Sequence, residues 1–216
     1  TFADLAGRKV GVWAFGNEFV TQAIFSQQDL TSDLDPTVTD ADVSAVVYEF
    51  DPSLVFPNEV DVASAMTYNE LDQIVGLGYP LDTLNVLNPA DIGAQLLEDN
   101  IFTTPELLAN ENFKESGVTG REIAERFLRA TIKGWEYAVA NQEEAVFIVT
   151  GYCGDTCNGS GTTQSPLIHQ TWQMARLAEL VKPTAETAVG AISPEAFANS
   201  VSLLTQVGLI KNAATF

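Results

Sequence analysis

Residues 7–19 read GRKVGVWAFGNEF: an apolar run from Val10 to Trp13 ends at Gly16 and then at Asn17-Glu18, just before a helical pattern. A strand that stops at Gly-Asn ahead of a helix is a βα turn, and the N–H groups at the helix start point into open space. In an open α/β sheet, ligands sit outside the carboxyl ends of the strands. Trp13, Phe15, Gly16, Asn17 and Glu18 are therefore candidate ligand contacts. The plainer reading is that Gly16 only permits the turn and Trp13 only fills core.

The flanking sequence repeats the rhythm. Residues 9–13 are a first strand, and Phe19, Ala23 and Ile24 mark one apolar face of a following helix. A polar loop over 31–42 leads to a second strand at 43–50; Asp51-Pro52 then reads as the cap and first turn of a short helix. Residues 59–66, EVDVASAM, are a third strand. Strand, helix, strand, helix, strand implies a parallel sheet. Directly after the third strand stands Thr67-Tyr68-Asn69-Glu70-Leu71, a second strand-to-helix junction on the same sheet edge. Two converging turns, each with an aromatic, an amide and a carboxylate, suggest a pocket and add Tyr68, Asn69 and Glu70 to the candidates. Taken alone, that second turn reads equally as a solvated helix start, with Glu70 favouring the helix dipole.

Residues 84–87 are read as a fourth short strand, and 96–97 with 101–102 as a further extended stretch. From Pro105 helix follows helix. Thr119 with Glu122 has capping-box spacing for a long helix reaching Asn141, Asn141 with Glu144 repeats the device, and residues 151–166 read as a loop. A helix over 168–181 and another from Ser193-Pro194, closed by Gly208, complete the chain. The expected division is an α/β lobe over 1–100 and a mainly helical segment over 101–216.

Composition bounds the function. With 46% apolar and 18% charged residues over 216 positions, the chain is globular and able to bury a core. Its 29 acidic against 10 basic residues give a net charge of −19, which argues against nucleic acid and anionic lipid as partners. No stretch reaches the roughly 18 apolar residues of a membrane span. Thr1 opens into a polar turn, where neither a signal peptide nor an anchor is expected. Cys153 and Cys157 favour a small loop disulfide over two free thiols. With His169 as the only histidine they are too sparse for a closed zinc site, so no metal and no cofactor are expected. Asn158-Gly159-Ser160 fits the glycosylation pattern, a signal common by chance. His169 falls on a predicted helix face and is read as structural.

Six blocks in order carry a family likeness: DLAGRKVGVWAFGNEF (4–19), EVDVASAMTYNEL (59–71), LEDNIFTTPELL (97–108), RFLRATIKGWEYAVANQEEAV (126–146), HQTWQMARLAELVKP (169–183) and GAISPEAFANSVSLLTQVGLI (190–210). Together they resemble the NMT1/THI5-like substrate-binding proteins of ABC transporters, which are two-lobed type II periplasmic binding proteins. The resemblance implies one complete α/β lobe, a second lobe by family order, plus a largely helical return into a first lobe whose opening strands and helices are missing. It maps the ligand turn onto Gly16, Asn17, Glu18 and Phe19, and the second block onto Tyr68, Asn69 and Glu70.

The implied function is that of a solute-binding component of an ABC importer, outside the cytoplasm. It would hold a small planar heterocycle, such as a thiamine-pyrimidine precursor or a flavin, between two lobes. Its partners would be that ligand and a permease, or another chain supplying the missing half lobe. Aromatics would stack on such a guest, and Glu18 or Glu70 would accept its ring N–H groups. The alternative is a truncated domain kept as a structural subunit of a larger assembly, because Phe127 and Trp135 otherwise leave an apolar face in water. An enzyme is not expected: there is one histidine, no nucleophile elbow and no phosphate loop.

Overall fold

A computed structural model describes residues 1–49, 51–158, 164–212 and 214–215. Its sheet is parallel, with β1 (Lys9–Val12) in the centre, β2 (Ser44–Val47) on one side and β3 (Val62–Ala63) on the other. Val10 lies opposite both Ala45 and Val62, so β1 is paired along both edges. The outer edge of β2 is closed by a side chain: Asp33 Oδ1 accepts the Ala45 N–H at 2.7 Å. That carboxylate occupies the position a further strand would take.

Helix α1 (Glu18–Gln27) buries Ile24 and Phe25 on one face of the sheet, against Leu5, Val10, Val12 and Val43. The other face is covered by Tyr48, Val55 and Val60, with Trp13 and Phe56 against them. Here Gly11 has a specific task. A Cβ at this position would lie 3.0 Å from Tyr48 Cε1 and 3.4 Å from Val60 Cγ2. Its absence lets the Tyr48 ring cross β1, so that the hydroxyl donates to the Ser64 carbonyl.

The third strand is shorter than residues 59–66. Glu59 and Val60 donate back to the Val55 carbonyl and stay in the preceding turn. At the far end the Met66 N–H is taken by Glu70. Only the stretch from Asp61 N, which donates to Lys9 O, to Ser64 N, which donates to Gly11 O, follows β1. The second strand is likewise trimmed to four residues, and the expected helix after Asp51 is a single 3₁₀ turn, Pro52–Leu54, capped by Asp51.

Residues 84–87 form no strand. They run between one-turn helices at Leu81–Thr83 and Pro89–Ile92, and Leu87 and Ile92 pack on the core without joining a ladder. Residues 95–97 are tied to a helix instead of a strand: Asn199 Nδ2 donates to Gln95 O at 2.9 Å, and Leu97 N–H donates to Ser200 Oγ at 2.9 Å.

The remaining helices are α2 (Glu70–Gly76), α3 (Pro105–Leu108), α4 (Gly120–Ala140), α5 (Gln142–Cys153), α6 (Pro166–Val181) and α7 (Pro194–Gln206). Thr119, Ser165 and Ser193 cap α4, α6 and α7 through their hydroxyls. Asn141 does not cap α5 as expected. One residue joins α4 to α5, and its amide donates to Tyr137 O at 2.9 Å, satisfying the end of α4. The expected loop at 151–166 begins late, because α5 continues to Cys153 and a 3₁₀ turn, Gly154–Asn158, follows. Cys153 and Cys157 are joined, their Cα atoms 5.4 Å apart. The rest of the Asn158-Gly159-Ser160 pattern falls outside the described residues. Between α4, α5 and α6 a small core forms from Val146, Met174 and Ala178, with Trp135 partly buried against it.

Gly11→Val should lower stability by about 1–3 kcal/mol, because branched bulk there must displace Tyr48. Urea unfolding of the variant beside the parent chain checks this.

Candidate functional site

Because β1 and β3 are parallel neighbours, the turns that follow them leave the same edge of the sheet side by side. In the first, Phe15 and Gly16 take positive φ, 63° and 103°. Glu18 Oε2 accepts the Gly16 N–H at 2.8 Å and closes the turn. Asn17 Nδ2 reaches back to Ala14 O at 3.3 Å. Phe15 is fully exposed, whereas the Phe19 ring packs beneath Gly16, 3.4 Å from where a Cβ would stand. Trp13 is half-buried, its ring centroid 6.0 Å from that of Tyr48, and its buried Nε1 has no partner among the described residues.

The second turn is closed in the same manner. Glu70 is only 5% exposed; one carboxylate oxygen accepts the Met66 N–H at 2.9 Å, the other the Asn69 amide at 2.8 Å. Tyr68 points to Asp99, hydroxyl to Oδ2 at 3.4 Å. The aromatic candidates are thus presented at the edge, while Glu70 and Asn69 face inward.

Sequence reasoning missed three contributors. Tyr48 packs against Trp13 and donates its hydroxyl to Ser64 O at the end of β3. Asp72, on α2, meets the His169 ring: Oδ2 lies 2.7 Å from Nδ1, and Asn69 Oδ1 lies 2.9 Å from Nε2. Trp172, one turn further along α6, donates from Nε1 to Thr67 O at 2.9 Å. The available signal was the lone histidine at i, i+3 from a tryptophan on one helix. His169 is buried at 1% exposure with both nitrogens engaged, which fits its structural reading. Among the described residues, no three His, Cys, Asp or Glu side chains gather in a metal-holding group.

Two grooves lie elsewhere on the described residues. One, of about 490 Å³, lies among α4, α5 and α6 and is lined by Trp135, Val146 and Met174. The other, of about 630 Å³, runs between α6 and the 81–86 segment and begins at Thr67, beside the second turn. Residues 13–19 and 68–70 line neither.

The edge is electrostatically negative. Burial, then the charges of Asp99, Glu70 and Glu98, push the Tyr68 phenol up to about 12. Burial, with Glu70 and Asp51, raises Tyr48 as well. Burial and Asp99 raise the Glu98 carboxyl. Such an edge disfavours anions and favours guests that carry N–H donors.

A sequence model of one protein family, described as NMT1/THI5 like, matches residues 1–145. No curated protein matches the chain. The matched stretch contains both turns and the whole sheet, whereas His169 and Trp172 lie beyond it.

Asp99→Asn should bring the Tyr68 titration down from about 12 yet leave it above the ordinary phenol value, since burial is the larger cause. Carbon-13 NMR of labelled tyrosine rings across alkaline pH measures it.

Proposed function

The chain belongs to the NMT1/THI5-like family, and we propose that it is a solute-binding protein whose two neighbouring turns hold a small planar heterocycle. The observation that carries this reading is the pair of strand-to-helix turns on one sheet edge, with Trp13, Phe15 and Tyr68 set among carboxylates. Aromatic faces supply stacking area, and the negative field selects ring N–H and amino groups over phosphate. A thiamine-pyrimidine precursor and a flavin ring both offer such groups. On this reading the chain serves an ABC importer outside the cytoplasm. The Cys153–Cys157 bond supports an oxidising compartment. No helix among the described residues is long and apolar enough to cross a membrane. No catalytic step is part of the proposal.

A second reading is favoured by one observation. Phe127 on α4 is more than half exposed, and Phe147 and Tyr152 on α5 are 75% and 91% exposed. A face of that kind suits a domain covered by another chain, as a structural subunit would be.

Thermal melts against an aminopyrimidine, a flavin and a nucleobase panel decide between them. A heterocycle present at about 100 times its Kd should stabilise the chain by about 2.7 kcal/mol. Trp13→Ala should weaken that binding at least about tenfold through lost stacking. A flat response to the whole panel overturns the solute-binding reading. The subunit reading fails if the chain sizes as a well-behaved monomer.

A further inference from the structure

We infer that His169 is a positioning residue for the second turn, transmitting the placement of α6 to Glu70 through the Asn69 amide. Glu70 takes the Met66 N–H on one oxygen and the Asn69 Nδ2 on the other. The Asn69 carbonyl oxygen is thereby turned toward α6, where it meets His169 Nε2 at 2.9 Å. A flipped amide would set its oxygen against the Glu70 carboxylate and lose that bond. The ring is fixed in turn: Nδ1 lies against Asp72 Oδ2 at 2.7 Å, and Asp72 Oδ1 accepts from Gln164 Nε2 at 3.3 Å.

A second tie sets the distance between the two parts. Trp172 Nε1 donates to Thr67 O, and the Arg176 guanidinium stacks over the Trp172 ring at 4.9 Å. His169, Trp172 and Arg176 follow at i, i+3 and i+7, one face of α6. The turn spanning Thr67–Glu70 is therefore held by α6, a helix about a hundred residues away in sequence. Movement of α6 alters the Glu70 carboxylate and the Met66 amide together, and any guest at that turn senses it. This last consequence rests on the solute-binding reading; the coupling itself does not, and is measured without a guest.

Amide exchange by NMR tests it, with Met66 N–H as reporter and Gly11 and Val12 N–H as internal controls. His169→Phe keeps the bulk and removes both ring nitrogens. It should speed Met66 exchange at least about tenfold while the β1 controls stay within about twofold. His169→Gln places an amide nitrogen where Nε2 stands and should restore Met66 to within about threefold of the parent. His169→Asn places one where Nδ1 stands, toward Asp72, and should not restore it. The inference is overturned if Met66 exchange is unchanged in the Phe variant, if the β1 amides accelerate by the same factor, or if Asn restores Met66 as well as Gln. Should the Phe variant fail to fold, the contrast of Gln with Asn decides; a chain that folds with none of the three overturns the inference by making His169 a residue of global stability.

Discussion

Where a strand of a parallel sheet gives way to a helix, backbone N–H groups leave the ladder before helical acceptors are available, and something must accept from them. In this chain carboxylates do so. Glu18 accepts from Gly16, Glu70 from Met66, and Asp51 from Ser53. The closures are local, two to four residues long, and they keep three strands of four, four and two residues from fraying at the carboxyl edge. They also have an electrostatic consequence. Acidic groups needed for turn closure collect where the sheet opens, and the phenols of Tyr48 and Tyr68 are raised by the charges around them as well as by burial.

The parts of this fold that were legible in the sequence are those set by local chemistry. The Val10–Trp13 run followed by Gly16 marks β1 and its turn; Thr119 and Ser193-Pro194 mark helix starts whose caps form, whereas the Ser165-Pro166 start lies in the stretch read as loop. What local pattern does not carry is the partner of a segment distant in sequence. Residues 84–87 have the composition of a strand, but Leu87 and Ile92 reach the core as side chains alone. Residues 95–97 find their hydrogen bonds on Asn199 and Ser200, about a hundred positions away. The Asn141 cap was misread because its neighbour is the end of another helix, and a carbonyl there competes for the same amide.

The candidate turns were legible for the same reason that β1 was, whereas their supports were not. Gly16 and the MTYNE block announce strand-to-helix junctions. Nothing in the sequence says that Tyr48 crosses Gly11, or that Asp72 and Asn69 enclose the only histidine. A buried polar chain is visible only once α6 is known to lie against α2. Burial makes it consequential: leaving one such group without its partner costs about 1–3 kcal/mol.

The internal closures also constrain how a guest could be recognised. Glu70 and Asn69 have their polar atoms engaged within the protein, and Glu18 has one oxygen committed to Gly16. Glu70 is buried, so on the solute-binding reading its carboxylate would act through its field rather than by direct pairing. On that reading contact would fall to the groups left at the edge, namely the exposed Phe15 ring, the half-buried Trp13 and Tyr68 rings, and the Asn17 amide. Stacking gives area without reading a particular hydrogen-bond pattern, and a field selects charge without selecting shape. On the solute-binding reading, discrimination among flat heterocycles would come from how far apart the two turns stand, a distance governed by the β1–β3 pairing at one end and by the hold of α6 on Thr67 and Asn69 at the other.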